Sequence, residues 1–101
     1  MIIYNVTIKV EKQIADKWLQ WLKDEHIDDV INTGCFTQAQ IHQLIDVDET
    51  DEPTYVVQYF CPSKKMYETY LQLYAEVMRK KGIEKWGDKF VAFRTLMQVV
   101  H

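Results

Sequence analysis

The first ten residues impose the strongest constraint on what this chain can fold into. In IIYNVTIKV, residues 2–10, Ile2, Tyr4, Val6, Ile8 and Val10 fall on one side of an extended chain. Ile3, Asn5, Thr7 and Lys9 fall on the other. Successive side chains of a strand point to opposite faces, so this segment is a strand with one strongly apolar face. Such a face must be covered by a second layer. Residues 12 to about 27 supply one, because Ile14, Trp18, Trp21 and Leu22, with Ala15 and Leu19 beside them, form a helical stripe. No Ser, Thr, Asp or Asn caps its start, and the sequence NTG at 32–34 stops it, Gly34 being free to adopt positive φ. HIDDVIN between them reads as a separate turn of helix.

The same two periods recur. FTQAQIHQLI, residues 36–45, alternates, and DVDETDEP follows as a polar hairpin loop. TYVVQYFC, residues 54–61, is a third strand. Ser63 is a plausible N-cap for a second helix whose stripe is Met66, Tyr67, Tyr70, Leu71, Tyr74, Val77 and Met78 and which Gly82 is expected to end. IEKWGDK is a short connector, and FVAFRTLMQVV, residues 90–100, is the last strand. The order β-α-β-β-α-β predicts a single α+β domain over residues 1–101 with a ferredoxin-like fold. Two helices cover one face of a four-stranded antiparallel sheet, and the first and third strands are central.

A chain of 101 residues with 48% apolar and 27% charged residues is an ordinary globular domain. Its net charge of −3, with no basic block, argues against nucleic acid as a partner. The segment KFVAF at 89–93 lacks the glycines of an RNA-recognition strand. No apolar run approaches the roughly 18 residues that span a bilayer, and the alternating start is unlike a signal peptide, so the expected compartment is the cytoplasm, away from membranes. Cys35 and Cys61 make no C-x-x-C pair and are expected to be reduced thiols.

The more apolar side of each strand is expected under the helices: Ile2, Tyr4, Val6 and Ile8, then Ala39, Ile41 and Ile45, then Tyr55, Val57 and Tyr59. For the last strand that side is Val91, Phe93, Met97 and Val99. The opposite face then mixes Ile3, Phe36, Leu44, Val56, Phe60, Phe90, Ala92 and Leu96 with Asn5, Thr7, Gln38, Gln40, His42, Gln58, Arg94 and Gln98. This face is too apolar for open water and too polar for a dry core. A homodimer formed through the sheet face and enclosing a wet cavity accommodates both, as does a plain dimer interface with trapped water. Arg94 cannot lose its charge, so it needs water, a carboxylate or an anionic ligand.

The pieces IIYNVT at 2–7, WLQWLKDEHI at 18–27, TGCF at 33–36, TYVVQYF at 54–60 and GDKFVAFRT at 87–95 resemble a small uncharacterised bacterial family of the dimeric α/β-barrel superfamily. One departure is visible: that family typically has proline after the His-Ile pair, where this chain has Asp28. The resemblance implies a fold and a dimer, not a reaction. The wider superfamily includes cofactor-free monooxygenases, muconolactone-type isomerases, haem-handling enzymes and ligand-sensing domains, and fold alone does not choose among them.

Arg94, Gln58 and Asn5, with Gln40 and His42 beside them, are the candidate ligand-binding group, able to hold a carboxylate, enol or quinone oxygen. His26, next to Glu25 and near Asp29, is the candidate catalytic acid–base group. Read structurally, it is a helix-end histidine bonded to backbone. Tyr70 or Tyr74 reads first as core and second as a hydroxyl at a pocket rim. No metal is expected, because His42 and His26 share no ligand spacing and the acidic loop has Thr50 and Asp51 where an EF-hand needs other residues. No cofactor is expected either: there is no Gly-rich phosphate loop and no nucleophile elbow. The turn Val10-Glu11-Lys12 lacks the glycine usual in amino-acid-sensing ACT modules. The expected function is a homodimeric binder of a small organic molecule, with monooxygenase-like or isomerase-like activity as its candidate chemistry. The alternative is a non-catalytic dimerisation or protein-interaction module.

Overall fold

The computed structural model describes residues 1–47 and 52–101. Its elements are β1 (Ile2–Val10), α1 (Ala15–Trp21), α2 (Ile27–Ile31), β2 (Gln38–Gln43), β3 (Thr54–Cys61), α3 (Lys64–Leu73), α4 (Ala75–Trp86) and β4 (Phe90–Gln98). The strands form one antiparallel sheet in the order β2-β3-β1-β4, with β1 and β3 central, and the helices cover one face. This is the ferredoxin-like fold. The two central strands are those with the cleanest alternation. In register, Tyr4 pairs with Tyr59, Val6 with Val57 and Ile8 with Tyr55, and all six side chains are buried under the helices. At one end of this core Tyr4 stacks on Phe36 and Tyr59, each at 5.9 Å between ring centroids.

The first helical stretch is continuous but irregular. A 3₁₀ turn, Lys12–Ile14, leads into α1, and Glu11 before it makes no side-chain cap. Between α1 and α2 lies a π-helical turn, Leu22–His26, in which the Ile27 N–H donates to the Leu22 carbonyl five residues back. Beyond α2, the Thr33 hydroxyl donates to the Val30 carbonyl at 2.7 Å and Gly34 takes φ of 83°. Those two features stop the helix.

The second stretch opens on Ser63, whose hydroxyl accepts the Met66 N–H at 3.2 Å. α3 breaks at Tyr74, where φ is −128°, and α4 continues to Trp86. Gly82 therefore does not end this helix; it lies buried inside α4, and Gly87, with φ of 62°, ends it instead. Most of IEKWGDK is the last turn of α4 rather than a connector. Among the described residues no helix is long and apolar enough to cross a membrane.

On the last strand the two faces are the reverse of those expected. In the register of β4 against β1, Arg94 pairs with Val6, Ala92 with Ile8 and Phe90 with Val10. Directly opposed residues share a face, so Phe90, Ala92, Arg94, Leu96 and Gln98 lie on the helix side. Val91, Phe93, Thr95 and Met97 lie on the open side. The expected parity is reversed because both sides of this edge strand are apolar, and one residue of slip exchanges them. Phe36 also leaves the open face: it precedes β2 and is buried in the core. Leu44 and Ile45 lie past the end of β2 and are exposed. Of the acidic loop, residues 48–51, including Thr50 and Asp51, lie outside the described residues.

Candidate functional site

Two inward helical stripes and the sheet beneath them line a cavity of about 70 Å³. From α4 the inward positions are Ala75, Met78, Arg79, Gly82 and Trp86, at the i, i+3, i+4, i+7, i+11 spacing of one helix face. Met78, Arg79 and Gly82 reach the cavity wall. From the first stretch Trp18, Leu22, His26 and Val30 line it, each four residues from the next. In a straight α-helix Trp18 and Val30 would be about 120° apart around the axis. The wider π turn absorbs that drift and brings His26 onto the inward side. A π turn inside an α-helix recurs at functional sites.

His26 stacks on Trp21, with 4.6 Å between ring centroids and 21° between planes. Its Nδ1 is buried and has no hydrogen-bond partner among the described residues. Burial lowers its pKa from 6.5 to about 4; the Asp29 carboxylate works against that shift, and the charges of Lys81 and Arg94 add to it. The imidazole is therefore neutral at pH 7. Asp29 is itself held by Lys81 at 3.2 Å, a pair that ties α2 to α4.

The other end of the cavity is phenolic. Arg79 Nη2 donates to the Tyr4 hydroxyl at 3.3 Å, and Arg79 Nε is buried without a partner among the described residues. Burial pushes the phenols of Tyr59 and Tyr70 up, so both stay protonated. Arg94 lies at the exposed side of the cavity, on the edge strand.

The sequence-derived candidates divide between two faces. Gln40, Gln58 and Asn5 form a cross-strand row on the open face, continued by Thr95 on β4. The Asn5 amide donates to Thr95 Oγ1 at 3.2 Å and to Thr7 Oγ1 at 3.3 Å. His42 lies one row on, in line with Val56, Thr7 and Phe93, and is exposed. Arg94 does not join these amides; it faces the helix-side cavity that His26 also lines. Tyr70 lines that cavity too.

Arg79, Trp21 and Gly82 were not among the candidates. Arg79 carried a usable signal, since it occupies an apolar-stripe position of α4. So did Gly82, a helix-interior glycine that costs about 1 kcal/mol relative to alanine and so calls for a packing or functional reason.

The family model of a domain of unknown function, DUF4286, matches residues 1–100. No curated protein matches the chain. Among solved structures, the chain is similar to a dimeric ferredoxin-like protein from an uncultured marine organism, at 11% identity and a TM-score of 0.71, covering 100% of this chain and 96% of that one. It is similar to a protein from Nitrosomonas europaea named after the antibiotic biosynthesis monooxygenases, at 10% identity and a TM-score of 0.70, with 100% of each chain covered. A cofactor-independent oxygenase from Streptomyces nogalater aligns at 7% identity and a TM-score of 0.63, covering 99% of this chain and 93% of that one. At such identities the likeness is one of fold.

Proposed function

We propose, from the premise that the chain belongs to the DUF4286 family of domains of unknown function in the dimeric α/β-barrel superfamily, that it is a homodimer binding a small oxygen-bearing organic molecule between helices and sheet. His26 is the proton acceptor of this site. The observation that carries the reading is the His26 ring: neutral, stacked on Trp21, its Nδ1 buried beside a cavity and unclaimed by any described residue. A buried polar atom without a partner is costly, and a native structure keeps few of them. A neutral imidazole is the form that accepts a proton, and the negative charge developing on the ligand would offset the burial that holds its pKa near 4.

The proton of an acidic C–H or O–H on the ligand passes to His26, and the electron pair stays on the ligand, delocalised onto its oxygen. Guanidinium and phenol groups around the cavity stabilise that developing charge. Return of the proton to another carbon completes an isomerisation. Transfer of electrons from the carbanion to dioxygen begins a cofactor-free oxygenation, the activity named for the Streptomyces nogalater neighbour. The homodimer reading is supported by the open sheet face, where Val91 and Phe93 are 53% and 64% exposed. The marine neighbour described as dimeric supports it further. Asn5, Gln58, Gln40 and His42 then belong to the seam between the two sheets rather than to the helix-side cavity.

The test is a melting-temperature screen against small carbonyl and phenolic compounds, coupled to mass spectrometry of small molecules released from the purified protein. At least one compound should raise the wild-type melting temperature. His26→Gln should still bind it but lose proton exchange with deuterated water. No binding and no co-purifying molecule would favour the protein-interaction module. One observation supports that second reading: Leu71 and Ile83, 40% and 58% exposed, share a shallow outer groove with Lys80.

A further inference from the structure

The charge of the helix-side cavity is unbalanced. Arg79 and Arg94 both line it, and among the described residues no Asp or Glu does. The carboxylate that acts on His26, that of Asp29, is already taken by Lys81. A guanidinium stays charged at any relevant pH, so each must be met by water or by an anion, and Arg79 is the more sheltered of the two. A partly buried cation with neither is costly.

The hydrogen-bonding groups point the same way. One Arg79 donor goes to the Tyr4 hydroxyl, and its Nε has no partner among the described residues. Because the Tyr4 oxygen accepts from Arg79, its own hydrogen is available to a second acceptor. Tyr59 and Tyr70 are protonated and add two more donors. This end of the cavity is thus rich in donors and positive in charge, a match for carboxylate or enolate oxygens. The remaining wall is aliphatic, with Val6, Ile8, Val57, Leu22, Val30 and Met78, and calls for a carbon body rather than an inorganic ion. The volume of about 70 Å³ equals roughly five water sites, which limits that body to about one ring reaching out past Arg94.

We propose that the site takes a small organic monoanion, no larger than one ring, whose carboxylate or enolate oxygens are received by Arg79, Arg94 and Tyr4. The proposal rests on the reading of this cavity as a ligand site and adds the charge class of the ligand. Gly82 is the size-determining residue. A Cβ there would sit 3.7 Å from the Phe90 ring and 3.8 Å from the Trp21 ring, in ordinary contact, so alanine fits the empty protein while taking ligand space.

Benzoate, benzamide and benzamidine share one shape and differ in charge, and they make the test. Each is titrated into the intact protein and followed by calorimetry and by amide chemical shifts. Benzoate should bind at least tenfold more tightly than benzamide, and benzamidine should not bind. Arg94→Gln, on an exposed edge-strand position, should lower benzoate affinity about tenfold, equivalent to about 1.4 kcal/mol, with an unchanged amide fingerprint elsewhere. Benzamide or benzamidine binding as tightly as benzoate overturns the charge class while leaving the cavity a ligand site. Benzoate binding unchanged by Arg94→Gln overturns the assignment of its receiver. Absence of binding by all three at millimolar concentration overturns this proposal, while a compound from the melting-temperature screen that still binds keeps the cavity a ligand site.

Discussion

The imidazole of His26 lies over the indole of Trp21, 4.6 Å away and nearly parallel to it. The two residues are five positions apart, which in an α-helix would leave them about 140° apart around the axis. The π turn from Leu22 to His26 aligns them instead, since its hydrogen bonds span five residues. The wider turn therefore takes up one more residue than an α-helical turn while keeping the candidate base aimed into the cavity.

Removal of Lys23, exposed within that turn, should restore α-helical bonding and leave His26 four residues after Trp21, about 40° away around the axis and still on the inward side. The His26 pKa, followed by NMR titration, should then stay near 4 rather than return to its ordinary 6.5. A value near 6.5 in a folded deletion variant would show that the wider turn itself is needed to bury the ring.

The same ring predicts an acid sensitivity. The His26 pKa is about 4 in the folded protein against the ordinary 6.5 of an unburied histidine, the shift being chiefly burial. Between those values the unfolded chain binds more protons than the folded one, so stability rises with pH. The full contribution is present above pH 6.5 and is lost as pH falls toward 4, for a total of roughly 3 kcal/mol. Urea unfolding of wild type and His26→Gln at a series of pH values checks this: the variant should show a flatter profile across that window. Parallel profiles would mean that other groups govern the acid limb.

Gly82→Ala should stabilise the unliganded protein by about 0.5–1 kcal/mol, because it removes the entropic cost of a helix-interior glycine and its methyl meets only ordinary contacts. Thermal unfolding would detect it. A loss of stability would mean that the space around Gly82 is already filled.

Tyr4→Phe keeps the aromatic stacking on Phe36 and Tyr59 but takes away the acceptor of Arg79. A donor left unpaired at a partly buried site costs about 1–3 kcal/mol, so the variant should unfold at lower denaturant. Unchanged stability would show that the Arg79 contact carries no net free energy.

Phe93→Lys places a charge on the edge strand of the open sheet face, where the native ring is 64% exposed in the single chain. In a homodimer built on that face a buried lysine lacks a partner, so light scattering should report half the wild-type mass. A wild type that is already monomeric, or a variant that stays dimeric, removes this face from the assembly.

Much of this architecture was legible in residue order. β1 and β3 declared their buried sides because apolar and polar residues alternate cleanly along both. The last strand did not, since FVAFRTLMQ carries large apolar groups at both parities and its register depends on β1, not on its own pattern. Arg94 was therefore wrongly placed on the face of Asn5 and Gln58. The π turn left no mark in composition, because one added residue in a helix changes spacing by less than the stripe is wide. Gly82 was misread for a related reason: glycine punctuates helices so often that its use as a spacer inside one goes unnoticed.

Phe93 and Arg94 are consecutive, yet one looks out from the sheet and the other in under the helices. A single peptide unit is all that separates the surface another copy would grip from the rim a ligand would pass. With no layer between them to absorb strain, whatever clamps or frees this border strand also steadies or slackens the entrance behind it.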